Sequence, residues 1–501
     1  MSKNWVQEYL SARRPSEINM GFLAYLCNLD QVASVTPEVA ASVVRELENQ
    51  RRRVKLIASE NYCSLAVQLA MGNLLTDKYA EGMPSHRFYA GNENVDAVET
   101  LAAKEACEVF GAEYANVQPH CGVDANMLAY WAIISTRVEA PVLEYHGKKT
   151  LYELGEKDWF RLRATLGNQK LLGLDYYSGG HLTHGYRYNV SGRMFDVESY
   201  GVSRETGLLD YDEIEKKALD FKPLILLAGY SAYPRQINFR RMREIADKAG
   251  AVLMVDMAHF AGLVAGKVFE GDYNPVAHAD VVTSTTHKTF RGPRAGFVLA
   301  RREFADALDK GCPLTMGGPL PHVIASKAVA FREAKEKSFV DYARQIVKNA
   351  QALAAVCAKG GFSVLTGGTD NHLFLLNIAE KGLTGRQAEN ALHDCDIILN
   401  RNALPFDPNG PWYTAGLRIG TAAVTTQGMK EAEMEELGGI IVSVLKATRP
   451  APDGKGGKSR IRSVIDEAAQ RDALDRVAKL VSRFPVYPEL DLDYLKKAFC
   501  Q

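Results

Sequence analysis

Ala279-Asp280-Val281-Val282-Thr283-Ser284-Thr285-Thr286-His287-Lys288-Thr289-Phe290-Arg291-Gly292-Pro293-Arg294 opens as a β-branched run fit for a buried strand. It ends in hydroxyls, a histidine and one lysine, then breaks at Gly292-Pro293. Chemistry in open α/β sheets gathers at the carboxyl ends of strands, where a lysine can be partly desolvated, which favours its neutral, nucleophilic amine. Such a lysine can form a Schiff base. Upstream, Gly250-Ala251-Val252-Leu253-Met254-Val255-Asp256-Met257-Ala258-His259 is a second buried-strand pattern, and it too ends at a charged residue, Asp256. A lysine after a strand is ordinarily a solvated loop residue, but a carboxylate inside an apolar run is costly unless paired. At the ends of neighbouring strands the two fit pyridoxal phosphate. The lysine holds the aldehyde, and Asp256 keeps the pyridinium nitrogen protonated as an electron sink.

Outward from this stretch, 501 residues suffice for a large core and two or more packed domains. Sixty basic against sixty acidic side chains leave no net charge, which argues against nucleic acid or an anionic membrane as the main partner. Eight scattered cysteines without a CxxC pair point to reduced thiols and a cytoplasmic location. No window is apolar for long enough to cross a bilayer, and the first residues lack a basic region followed by an apolar core. No metal-ligand set is expected.

Thr285-Thr286-His287-Lys288-Thr289 followed by Gly292-Pro293-Arg294, with Val255-Asp256-Met257-Ala258-His259 upstream, resembles the serine hydroxymethyltransferase family of fold-type I pyridoxal phosphate enzymes. Matching stretches run from about Leu56 to beyond Arg418. The resemblance implies an α/β fold, a large domain with a mostly parallel sheet flanked by helices plus a smaller C-terminal α/β domain. It implies that Lys288, Asp256, His181, His259, Thr285 and Glu81 form the catalytic set. His181, in Gly179-Gly180-His181-Leu182-Thr183-His184-Gly185, would stack on the pyridoxal ring, and Ser231 would lie by its 3'-oxygen, with His259 and His287 near the Schiff base. Tyr79, Gly122, Val123 and, from a neighbouring subunit, the Gly318 loop would face the phosphate. Ser59, Tyr89 and Arg418 would bind the substrate carboxylate, Glu81 would handle the hydroxyl proton, and Phe88 and Asn402 would contact folate. Arginine suits a carboxylate because its planar fork binds it bidentately.

The chain departs from the family pattern around the phosphate. Cys121 and Val123 stand where serines are usual, Asp124 where a neutral residue is common, and Met316 where glutamine is usual. Val123 removes a hydroxyl donor, and an acidic Asp124 repels a phosphate unless it pairs with a cation. Phe88 replaces a second tyrosine and can stack but cannot donate a hydrogen bond.

Residues 1–36 read as an arm that packs on a partner subunit, and 37–54 as a helix with Thr36 as N-cap and Pro37 in its first turn. The large cofactor domain is expected over 56–330, with an inserted, partly helical surface element at about 138–177. A long amphipathic helix at 331–358 leads to the smaller domain, 331–501. There the Pro-, Gly- and basic-rich 449–462 reads as a linker before an amphipathic helix carrying Ile465, Ala469, Val477, Leu480, Val481 and Phe484. The activity implied is reversible conversion of L-serine plus tetrahydrofolate to glycine plus 5,10-methylenetetrahydrofolate, with pyridoxal 5'-phosphate as cofactor, in a homodimer or homotetramer. The rival readings are a folate-independent aldolase or aminotransferase of the same fold, or a non-catalytic scaffold.

Overall fold

A computed structural model describes residues 4–454 and 456–500. Its centre is a seven-stranded sheet of β1 (Tyr114–Asn116), β2 (Lys170–Leu174), β3 (Asp196–Tyr200), β4 (Ile225–Gly229), β5 (Val252–Asp256), β6 (Val281–Thr285) and β7 (Gly296–Ala300). The spatial order is β1-β7-β6-β5-β4-β2-β3, and only β7 runs antiparallel to its neighbours. β4 to β7 are buried along their whole length, which is why they read as continuous apolar runs. Helices return the chain between parallel strands. Phe239–Ala249 is typical: the Asn238 side chain accepts a hydrogen bond from Arg241 N at 2.8 Å, and Gly250 ends the helix at φ 69°.

Strand register brings the chemistry-bearing ends level. Gly229, Asp256 and Thr283 pair across β4, β5 and β6. A Cβ at Gly229 would lie 2.1 Å from the Asp256 carbonyl oxygen, so glycine is required for this approach. Side chains on both faces of the sheet form buried clusters.

A second sheet, β8 (Ser363–Val364), β9 (Leu373–Asn377), β10 (Asn400–Asn402) and β11 (Gly416–Gly420), has the order β8-β9-β11-β10 and its own buried cluster. Ala473, Val477, Leu480 and Val481 of the helix Glu467–Arg483 complete that cluster.

Three expectations are corrected. The supposed linker is a hairpin, β12 (Thr448–Pro452) and β13 (Lys458–Ile465), docked by Gln387, whose Nε2 donates to the Ser459 and Arg462 carbonyls at 2.6 and 3.0 Å. Its Gly and Pro residues serve a turn and an edge strand, which share a linker's composition. The insert is shorter than 138–177, because β2 belongs to the central sheet; the added part holds the helices Ala140–Tyr145 and Glu156–Leu166. The helix expected at 331–358 is two, Pro321–Glu333 and Lys337–Lys359, parted where Arg332 and Lys335 both turn to Glu105. Within the chain, Phe22, Leu26, Val44 and Leu47 share a core with Leu490 and Leu495. Arg51 fastens this core by donating to the carbonyls of Val486 and Leu490, each at 2.8 Å. The helix Pro37–Arg52 lies where expected, although the Thr36 side chain makes no capping bond.

Candidate active site

Lys288 follows the end of β6, and its half-buried side chain has no hydrogen-bond acceptor among the described residues. Its carbonyl is pinned instead, accepting from Asn61 Nδ2 at 2.8 Å and Arg291 N at 3.0 Å. Burial pulls the amine down to about 8, against the opposing pull of Asp256. Asp256 ends β5 and is only 7% exposed. Burial acts to raise its pKa, but the hydrogen bond and charge of His184, with His181 and Lys288, hold the carboxyl well below the usual range. Its Oδ2 accepts from Asn126 Nδ2 at 2.9 Å and lies 3.3 Å from His184 Nε2, and its Oδ1 accepts from Ala258 N at 3.0 Å. An anionic carboxylate is therefore maintained beside a lysine amine.

His181 joins the same network. Its Nδ1 lies 2.7 Å from Thr183 Oγ1, which accepts from Asn126 Nδ2 at 2.7 Å, and burial lowers the ring to about 4, keeping it neutral. Burial also keeps His259 neutral, with its Nδ1 3.2 Å from His372 Nε2. His287, lowered by burial to about 3, has a buried Nδ1 without a partner among the described residues. Thr285 faces the helix start at Gly122: a Cβ there would meet Thr285 Cγ2 at 2.7 Å. That helix, Gly122–Ile134, has Cys121 as an N-cap without a side-chain bond, and Val123 is exposed beside it. Asp124 is turned to His120, its Oδ2 3.7 Å from Nδ1, and His120 Nε2 meets the Gly318 carbonyl at 3.2 Å. A Cβ on Gly318 would touch the Tyr79 ring at 3.5 Å.

Across the cluster, Arg418 on β11 donates through Nε to Asn400 Oδ1 at 3.0 Å and through NH1 to the Ser231 carbonyl at 2.7 Å. Burial lowers it to about 10, so it stays charged. A cavity of about 420 Å³ brings Arg418, His181, Ser231 and Asn402 together with Tyr176 and Gly180. Ser59 sits next to this strand, since Ala58 packs on Gly420 and Leu56 accepts the Gly420 N–H at 2.8 Å.

The segment with Tyr79, Glu81, Phe88 and Tyr89 stands apart. Tyr79, Phe88 and Tyr89 are 59%, 71% and 50% exposed, and none of the four side chains hydrogen-bonds to the Lys288 cluster among the described residues. The segment is nevertheless built: Arg87, tied to Asp96 and Glu99, donates to the Ala80 and Gly82 carbonyls at 2.8 and 2.6 Å. Asn126, His184 and His372 are the residues that sequence reasoning passed over. Their partners lie far along the chain, and no local spacing marks them.

These groups fit an aldehyde-bearing pyridine phosphate. A lysine amine without an acceptor among the described residues, an anionic carboxylate one strand away, a neutral imidazole in the same network and free N–H groups at a helix start supply one partner for each part of it.

Residues 32–144 and 163–441 match the family model described as serine hydroxymethyltransferase. The chain belongs to the serine hydroxymethyltransferase family. It is 58% identical over 499 residues to the serine hydroxymethyltransferase of Treponema pallidum (strain Nichols), covering all of this chain and 87% of that one. It is 55% identical over 469 residues to that of Salinispora tropica, covering 94% of this chain and 98% of the relative. The Chlamydia trachomatis serovar L2 protein of the same name is 50% identical over 481 residues, 96% and 97% of the two chains. Members of the family are fold-type I pyridoxal phosphate enzymes, and the mostly parallel central sheet is that architecture. The gap in the family match, 145–162, falls within the inserted helical element.

Proposed function

We propose that this chain is a serine hydroxymethyltransferase, interconverting L-serine and tetrahydrofolate with glycine and 5,10-methylenetetrahydrofolate. The observation that carries the reading is the Lys288 amine, without an acceptor among the described residues, beside anionic Asp256, with His181 of the same network lining a cavity together with the Arg418 guanidinium. Pyridoxal phosphate, when bound, supplies a sink for the electron pair left at the substrate's α-carbon. Lys288 would hold its aldehyde and Asp256 its ring nitrogen. His181 would cover the ring face, with Ser231, His259, His287 and Thr285 around it. Backbone N–H groups at Gly122 and Val123 would take the phosphate, joined by Tyr79 and Gly318.

Arg418 orients the substrate through its carboxylate, with Ser59 and Tyr89 as further contacts. The arginine is already braced by Asn400 and the Ser231 carbonyl, so little side-chain entropy is lost on binding. Glu81 moves the proton of the serine hydroxyl, and Phe88 and Asn402 meet the folate. The exposure of Tyr79, Phe88 and Tyr89 supports a site completed across subunits, hence a homodimer or homotetramer. We assign the large domain to 56–330 and the smaller one to 331–501, and place the protein in the cytoplasm. No described helix is long and apolar enough to cross a membrane.

Glycine formation from serine, measured with and without tetrahydrofolate, tests the reading. Folate-dependent turnover is expected. Cleavage at the same rate without folate would make this chain an aldolase.

A further inference from the structure

Lys327, on the helix Pro321–Glu333, is 1% exposed, and its Nζ donates to the carbonyls of Val117, Pro119 and Gly296 at 2.6, 2.8 and 2.8 Å. Three acceptors on one nitrogen require three N–H protons. A neutral amine has two, so this geometry selects the ammonium form. The acceptors are placed tellingly. Gly296 N donates to the Pro119 carbonyl at 3.1 Å, and a Cβ on Gly296 would lie 2.3 Å from the Cys121 carbonyl oxygen and 3.3 Å from Gly122 N. The cation thus sits behind the peptide that leads into the free N–H groups of Gly122 and Val123.

On its open side, that loop has little with which to neutralise a dianion. Cys121 offers a weak thiol donor, Val123 none, and Asp124 adds a carboxylate whose partner is His120. The other charged or titratable groups facing Lys327 are Glu99 from the helix Glu93–Phe110, Cys312 from Ala305–Thr315, and Cys121 and Asp124 at the start of Gly122–Ile134. Glu99 is engaged elsewhere, accepting from Arg87 NH2 and Gln118 Nε2, each at 2.7 Å, and no carboxylate forms an ion pair with Lys327 among the described residues. Burial pulls Lys327 down to about 7, with the charge of Glu99 opposing, so an anion at the loop would favour its charged form.

We propose that Lys327 is a positioning residue for the cofactor's phosphate, bracing the loop 117–122 from behind and supplying a buried positive charge that the loop's own side chains lack. The inference rests on the cofactor reading above. A dianion at the helix start and the ammonium beneath it favour each other, so phosphate binding and the charged state of Lys327 are linked.

The test compares two ligands that differ only in the phosphate. Pyridoxal 5'-phosphate and pyridoxal are titrated by absorbance into wild type and Lys327→Met, with inorganic phosphate as competitor. The variant should bind pyridoxal phosphate weaker by on the order of tenfold while pyridoxal affinity stays within about twofold, and inorganic phosphate should compete less well. A merely structural lysine would lower both affinities in parallel, and that result overturns the proposal. If Lys327→Met does not give folded protein, Lys327→Gln, which keeps hydrogen-bonding capacity without charge, is read by the same ratio. A wild type that shows no visible band with pyridoxal phosphate, or a Lys288→Ala variant that keeps it, would instead refute the cofactor site itself.

Discussion

Burial favours the neutral form of Lys288, whose pKa of about 8 lies below the ordinary lysine range. The rate at which cofactor-free protein captures pyridoxal phosphate should rise roughly tenfold per pH unit below 8 and level off above it, as followed by stopped-flow absorbance. Stability has the same sign. Between about 8 and the ordinary lysine value the unfolded chain binds a proton that the folded chain does not, so cofactor-free protein becomes more stable as pH rises through that window. Below it the full cost of charging the buried amine is present. Arg418→Lys should raise KM for serine by roughly 10- to 100-fold with a smaller change in kcat, because an ammonium cannot reproduce the two-pronged grip. Steady-state kinetics separate the two parameters. Asp256 was legible because it ends an apolar run with a charge, and Lys288 because it follows a β-branched strand that ends in hydroxyls and a histidine. His184 was not: its partner Asp256 is 72 positions away, and His372 meets His259 across 113, so only the fold reveals either pair.

Among elements, fully buried strands were the most readable, since continuous β-branched and apolar runs leave few alternatives. The hairpin of β12 and β13 was hidden by composition: half-exposed edge strands carry the same Pro, Gly and basic residues as a linker. The helix behind it, Glu467–Arg483, declared itself through periodicity, and its apolar stripe closes the core of the second sheet. Leu480 is fully buried there. Leu480→Ala should cost about 2–5 kcal/mol of stability, read as a lower midpoint in urea. The second sheet carries Arg418, so this loss should also weaken serine binding before it weakens capture of the cofactor by Lys288.

At the scale of the molecule, Tyr79, Phe88 and Tyr89, with Leu314 beside the Gly318 loop, are large side chains left exposed on or next to the segments proposed to meet a second subunit. Light scattering after gel filtration should give a mass of at least two chains, and Leu314→Glu should shift it toward one. The expectation of a subunit contact here comes only through resemblance, since composition does not say which apolar residues stay outside. The first helices raise a different matter, one of timing. Their core is closed by Leu490 and Leu495, and Arg51 reaches its carbonyl partners 435 and 439 residues later in the chain. At synthesis rates of about 5–20 residues per second, those helices wait roughly 20–90 s with an apolar face unmet. Nascent chains of this protein should therefore depend on a holding chaperone over these helices until the segment carrying Leu490 and Leu495 has emerged.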